Sequence, residues 1–225
     1  MIKGIIFDAD HTLYFPHNQG AYREKFEYLS RETGIDADKI RNEWSSIIKD
    51  LLERGVRDCR KRSRDYSTTK ALVSLGIEER KASKFAGEAI DVFLKRLIKD
   101  LDYDIRLKNI IKNLGERYKL CVASDEFRRI LEMKLNHIFG SWKDYFEFLV
   151  TADDTKELKP SRKFCDLSLD KFNLEACEVV FVGDSWKREL SVAKKMGLKT
   201  VLVGKKKEGE PDYWLKFLVE INDIL

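Results

Sequence analysis

Acidic residues gather at three points where an apolar run gives way to polar sequence. Ile5-Ile6-Phe7 is followed by Asp8, Ala9, Asp10, His11 and Thr12. The run through Cys121 is followed by Ser124 and Asp125, and Val179 to Val182 by Gly183, Asp184 and Ser185, with Glu189 one helical turn further on. If these points are strand ends, the residues suit one site. Carboxylates drawn into a sheet crevice are costly to bury without a cationic partner. The donors are hard oxygens, histidines are few, and no thiol pair is spaced as a metal clamp. That donor set favours Mg²⁺, an ion usually held by one or two carboxylates together with waters and substrate phosphate.

Positioning such residues calls for a parallel sheet. The first residues read as a buried strand ending at Asp8, continuously apolar rather than alternating. From about Gly20 to Leu101 the pattern is helical throughout. Tyr22, Phe26 and Leu29 recur at helical spacing before a stop at Gly34, and Ile40, Trp44, Ile47, Ile48, Leu51 and Leu52 form a second apolar face. A short helix is expected over Thr69 to Leu75 with Ser67 as its cap, then a long one with Ala82, Phe85, Ala86, Ala89, Phe93 and Leu97 along one side. After Asp104 helices and strands alternate. Strands are expected at Tyr118–Ala123, Phe146–Val150, Val179–Val182 and Lys199–Val203, with a closing helix around Trp214 to Leu218. This alternation implies βαβ units, hence an α/β fold with a doubly wound parallel sheet and helices on both faces. The expected division is a discontinuous core, 1–15 with 104–225, interrupted by a helical insert over 16–103. An insert there stands over the carboxyl ends of the strands, where ligands bind in open α/β sheets.

Composition narrows the class without identifying it. The chain has 225 residues, 43 % hydrophobic and 36 % charged, with 12 Gly and 3 Pro. That is too apolar for a disordered chain and too poor in Pro and Gly for a low-complexity one. Lys and Arg number 43 against 39 Asp and Glu, so the net +4 gives little reason to expect a nucleic-acid or membrane partner. Neither the P-loop nor the dinucleotide glycine pattern is present. No stretch reads as a signal h-region or reaches the roughly 18 apolar residues of a membrane span. The four cysteines are scattered and expected to stay reduced. The expectation is a cytoplasmic protein.

Taken in order, the polar segments resemble the four motifs of the haloacid dehalogenase superfamily, in the branch with a helical cap inserted after the first motif. The strand followed by DxDxT is matched by Ile5 to Leu13, the hydroxyl residue at a strand end by Ser124, the lysine often followed by proline by Lys159-Pro160, and GDS plus an acid by Gly183-Asp184-Ser185 and Glu189. With the cap, the resemblance covers essentially the whole chain. It implies a phosphoric monoester hydrolase working with Mg²⁺ on a small phosphorylated metabolite. Asp8 would be the nucleophile that forms an aspartyl-phosphate. Asp10 would protonate the leaving alkoxide and then activate the hydrolytic water. Ser124, Asp125, Thr12 and Lys159 would contact the phosphate. The metal would be held by Asp8, Asp184 and the backbone carbonyl of Asp10, with Glu189 acting through water. Relatives that act as dehalogenases lack an acid at the place of Asp10, because a halide needs no proton, so the presence of Asp10 favours a phosphatase.

Competing readings accompany several residues. Lys156 rivals Lys159, and Pro160 decides for the latter. Asp125 reads as a helix cap more readily than as a catalytic group. Asp153 and Asp154 read as a solvated loop pair more readily than as a lining of the metal site, and His11 as a loop histidine more readily than as a leaving-group contact. Tyr14 and Phe15, where the chain crosses into the insert, read equally as hinge packing or as a contact to substrate. The basic run Arg54 to Arg64 reads as a solvated face more readily than as an attractor of anionic substrate. Two other functions use similar residues: a phosphomutase, and a phospho-acceptor signalling module that does not turn over.

Overall fold

The computed structural model describes residues 1–225 and divides them into two compact units, Met1–Pro16 with Asp102–Leu225, and His17–Leu101. The first unit is built on a six-stranded sheet of β1 (Gly4–Phe7), β4 (Lys119–Ala123), β5 (Phe148–Val150), β6 (Val179–Gly183), β7 (Lys199–Val203) and β8 (Tyr213–Leu215). Two-residue strands β2 (Phe15–Pro16) and β3 (Leu101–Asp102) lie at the crossings between the units. The six strands run in the order β5-β4-β1-β6-β7-β8, and every neighbouring pair is parallel. This is the α/β doubly wound sheet expected from the alternating pattern.

Strand order explains where a site must form. From β1 the chain adds β4 and β5 on one side, then crosses to add β6, β7 and β8 on the other. The order reverses at β1, so a crevice opens beyond the carboxyl ends of β1, β4 and β6. Phe7 is level with Val122 of β4 and Val182 of β6. The Asp8 N–H continues the ladder to the Val182 carbonyl at 2.8 Å, and Ser124 N–H reaches the Val150 carbonyl at 2.9 Å. Beneath these ends Ile6, Cys121, Val150, Phe164, Phe181 and Leu190 form a closed apolar core. Its helices are α5 (Leu107–Gly115), α6 (Arg128–Phe139), α7 (Ala152–Thr155), α8 (Lys163–Phe172) and α9 (Ser191–Lys195). One expectation fails at the end of the chain. The segment around Trp214 is the edge strand β8, not a helix, and only Leu218–Asp223 turns, as a 3₁₀ helix. Tyr213 and Trp214 are exposed while Leu215 is buried, and the segment is held by pairing with β7, Leu215 level with Val203.

The second unit holds α1 (Asn18–Thr33), α2 (Ala37–Glu53), α3 (Arg64–Ser74) and α4 (Glu79–Lys99). Gly34 ends α1 with φ +71°, a conformation that side chains rarely adopt. Phe26, Leu29, Ile40, Leu72, Ala82 and Ala89 form its core. Helix α3 begins earlier than expected because Ser63, not Ser67, caps it, accepting from Tyr66 N–H at 3.1 Å. Ser67 lies inside the helix and accepts the Trp44 indole N–H at 2.9 Å. Lys25, fully buried on the α1 face, has its Nζ 4.7 Å from the centre of the Trp44 ring and makes no hydrogen bond. Burial, with a smaller contribution from Arg64, pulls its amine down to about 7. Members of the basic run find partners within this unit. Arg54 pairs with Asp50, Arg62 donates to the Val56 carbonyl at 3.3 Å, and Arg64 lies over the Phe93 ring.

Candidate active site

The loop after β1 is a tight turn. Ala9 carbonyl accepts from Thr12 and Leu13 N–H, His11 N–H donates to the Tyr14 carbonyl at 2.6 Å, and His11 itself takes φ 66°. This places Asp8 and Asp10 on one cavity of about 200 Å³, which Ser124, Asp125, Asp184 and Arg188 also line. Asp8, Ser124 and Lys159 are each more than nine-tenths buried. Thr12 Oγ1 donates to Asp8 Oδ2 at 3.3 Å.

Lys159 is the cation at the centre of the site. It follows α7 at a cis Lys159-Pro160 bond. Its Nζ donates to Asp8 Oδ1 at 2.5 Å, Glu189 Oε2 at 2.6 Å and the Ala123 carbonyl at 2.9 Å. Burial alone would lower its pKa, but Asp8, Glu189 and Asp125 more than offset this, and the amine is held above its ordinary value. Lys156, the rival in sequence, ends α7 in a left-handed conformation.

Asp8, Asp184 and Glu189 each present a carboxylate oxygen, and the three oxygens lie within 4.8 Å of one another. Burial, then the charge of Asp8, raises both Asp184 and Glu189, the latter to about 8. Asp8, Asp184 and Glu189 thus offer clustered hard oxygen donors that crowd one another in the absence of a shared cation. These residues therefore fit a divalent cation such as Mg²⁺. Glu189 reaches this position because Gly183 has no side chain. A Cβ there would stand 2.1 Å from Glu189 Oε1.

Some expected residues do other work. Asp125 does not cap α6, which begins at Arg128 after Phe127. Its carboxylate accepts the Lys159 backbone N–H at 2.7 Å and pairs with Arg188, so it fixes the lysine loop. Asp153 and Asp154 lie away from the acidic cluster: Asp153 accepts from Arg128 N–H at 2.6 Å, and Asp154 pairs with the Arg128 side chain and caps Thr151. Tyr14 is fully buried, whereas Phe15 is half-exposed and lines a second cavity of about 420 Å³. That cavity shares His11, Thr12 and Asp184 with the acidic site's surroundings and is rimmed by Lys205, Lys206 and Lys216.

Two cations at the site escape a motif reading. Arg188, beside Glu189 on the turn after β6, lines the acidic cavity. Lys134, fully buried on α6, holds Asp10 with Nζ 2.9 and 3.1 Å from its two oxygens. The signal for Lys134 was its place in the stripe Ile130, Leu131, Lys134, Leu135, Ile138, where a lone lysine sits among core positions.

Fold and site together define a hydrolase of the haloacid dehalogenase type. Residues 5–203 match the family described as haloacid dehalogenase-like hydrolase, and the chain belongs to it. It is 27 % identical to a glyceraldehyde 3-phosphate phosphatase of Methanocaldococcus jannaschii, over 100 % of this chain and 97 % of that one. It is 24 % identical to a ribulose-1,5-bisphosphate 5-phosphatase of Halopiger xanaduensis, over 93 % and 88 %. Among solved structures, a 2-haloacid dehalogenase from Pseudomonas syringae superposes with a TM-score of 0.75 at 20 % identity, covering 99 % of this chain and 97 % of that one. That likeness is one of fold. The expected enzyme class, phosphoric monoester hydrolase, agrees with the family and with both relatives. No helix is long and apolar enough to cross a membrane.

Proposed function

We propose that this protein is a Mg²⁺-dependent phosphatase that hydrolyses a small phosphorylated sugar or related metabolite through an aspartyl-phosphate on Asp8. One observation carries the reading: Asp8 and Asp10 line a single cavity with Ser124 and the acid Asp184. The residues proposed as nucleophile, proton carrier, phosphate-binding hydroxyl and cation ligand all line this one cavity. The two named relatives act on phosphorylated sugars, which supports that substrate class.

Asp8, Asp184, Glu189 and the Asp10 backbone carbonyl would hold the cation. When bound, it would offset the repulsion between Asp8 and an incoming phosphate and stabilise charge on the group in transfer. Lys159 fixes Asp8 through Oδ1 and places a permanent positive charge beside the nucleophile. An Asp8 oxygen bonds to phosphorus as the ester P–O bond breaks, and Asp10 hands its proton to the departing alkoxide. The Asp10 carboxylate then takes a proton from the water that attacks the phosphorus of phospho-Asp8. This returns Asp8 free and Asp10 protonated, and releases inorganic phosphate. Ser124 hydrogen-bonds phosphate oxygens. The 420 Å³ cavity takes the leaving group, its lysines suiting an anionic substrate. The helical unit serves as a cap that excludes bulk water during turnover.

The test is a screen of phosphorylated metabolites with Mg²⁺, scored by release of inorganic phosphate. Release from sugar phosphates supports the reading. Isomerised hexose phosphate without free phosphate would instead identify a mutase.

A further inference from the structure

Asp10 has two opposed tasks in the proposed cycle, as acid and then as base, so its carboxylate must keep one orientation through both. The turn after β1 fixes the Asp10 backbone. The carboxylate is fixed by Lys134, which reaches it from α6. The Lys134 side chain is 1 % exposed and that of Asp10 33 %, so the grip lies on the buried side and leaves the other side open. A single ammonium 2.9 and 3.1 Å from both oxygens opposes rotation of the carboxylate. The ammonium is itself held. Glu126 Oε2 stands 3.6 Å away, and the centre of the Tyr14 ring 5.4 Å away.

Burying a lysine completely costs more than burying a leucine at the same helical position, and stability alone gives no reason for it. Its neighbours Ile130, Leu131, Leu135 and Ile138 supply the packing that holds α6 to the core. Building on the phosphatase reading, we propose that Lys134 is a positioning residue. It acts on the reaction through Asp10, aiming that carboxylate at the leaving-group oxygen.

The consequence is a dependence on the leaving group. A p-nitrophenolate departs without a proton, whereas benzyl alkoxide needs one as the P–O bond breaks. kcat/KM reports the reaction through leaving-group departure, the step that uses Asp10 as acid. Lys134→Met should therefore lower kcat/KM for benzyl phosphate by at least about tenfold more than for p-nitrophenyl phosphate, since general acid catalysis is worth roughly 10²-fold or more. Lys134→Arg, which keeps the charge, should recover part of the benzyl phosphate rate. Lys134→Gln replaces Met should the apolar variant not fold. Equal losses on both substrates, or no loss on either, would overturn the proposal, because a purely structural lysine does not distinguish leaving groups. If the wild-type enzyme with Mg²⁺ releases phosphate from neither ester nor from any metabolite, the phosphatase reading fails instead. Crystal structures of wild type and Lys134→Met then decide the positioning role without turnover. A rotated or disordered Asp10 carboxylate in the variant upholds it, and an unmoved one overturns it.

Discussion

A Cβ placed on Gly183 would stand 2.1 Å from Oε1 of Glu189 and 2.7 Å from its Cδ. The glycine ending β6 is therefore the space into which Glu189 folds back to join Asp8 and Asp184. Lys159 holds the other Glu189 oxygen at 2.6 Å, so the side chain has little freedom to give way. Gly183→Ala should push Glu189 out of the acidic cluster and raise the Mg²⁺ concentration for half-maximal turnover by about tenfold, the usual scale for disturbed metal surroundings. A Mg²⁺ titration of activity checks this, and an unchanged midpoint would contradict it.

The raised acids make cation binding depend on pH. Burial and Asp8 lift Glu189 from 4.5 to about 8 in the folded chain without metal. Between those values the folded state binds more protons than the unfolded state, so its stability falls as pH rises across that window. A bound cation favours the ionised carboxylate and removes the penalty. Mg²⁺ should accordingly raise the melting temperature more at pH 8 than at pH 5 in thermal unfolding. An increment that is equal at both, or larger at pH 5, contradicts the assignment.

Lys25 predicts the opposite slope for the helical unit. Its amine falls from 10.5 unfolded to about 7 folded. The cost of burying it is fully present below pH 7 and shrinks as pH rises from 7 towards 10.5. Lys25→Met keeps an unbranched chain among Tyr22, Phe26 and Trp44. It should stabilise the protein by a few kcal/mol, roughly 2–4, at pH 6, and by less at pH 9. Urea unfolding at the two pH values measures both quantities. A loss of stability at pH 6 would refute the account of this residue.

Residues that recur with a chain period, or that form local motifs, could be read before the structure. The parallel sheet followed from apolar runs alternating with helices, Asp8, Asp184 and Glu189 from short motifs at run ends, and Lys159 from the family resemblance alone. The structure brings these four together through a register in which Phe7 is level with both Val122 and Val182. Lys134 and Lys25 each interrupt the apolar stripe of their own helix, a pattern that marks the position but names no partner for the amine. The partner that explains Lys134 stands 124 residues away, at Asp10. Asp125 misled for a related reason. Next to a strand end and ahead of a helix it has the look of a cap, but its carboxylate is taken by Lys159 N–H and Arg188 from distant parts of the chain. The edge strand β8 was not legible because Trp214, Leu215, Phe217 and Leu218 are as apolar as a helix face, whereas the backbone there pairs with β7, Leu215 level with Val203.

The central claim is that Asp8 attacks phosphorus in a site that requires a divalent cation. It is tested most directly by release of inorganic phosphate from p-nitrophenyl phosphate, comparing wild type with Asp8→Asn, each with Mg²⁺ and with excess EDTA. The account predicts turnover by wild type with Mg²⁺, and none by the variant or in EDTA. Substantial turnover by Asp8→Asn, or by wild type in EDTA, would contradict it.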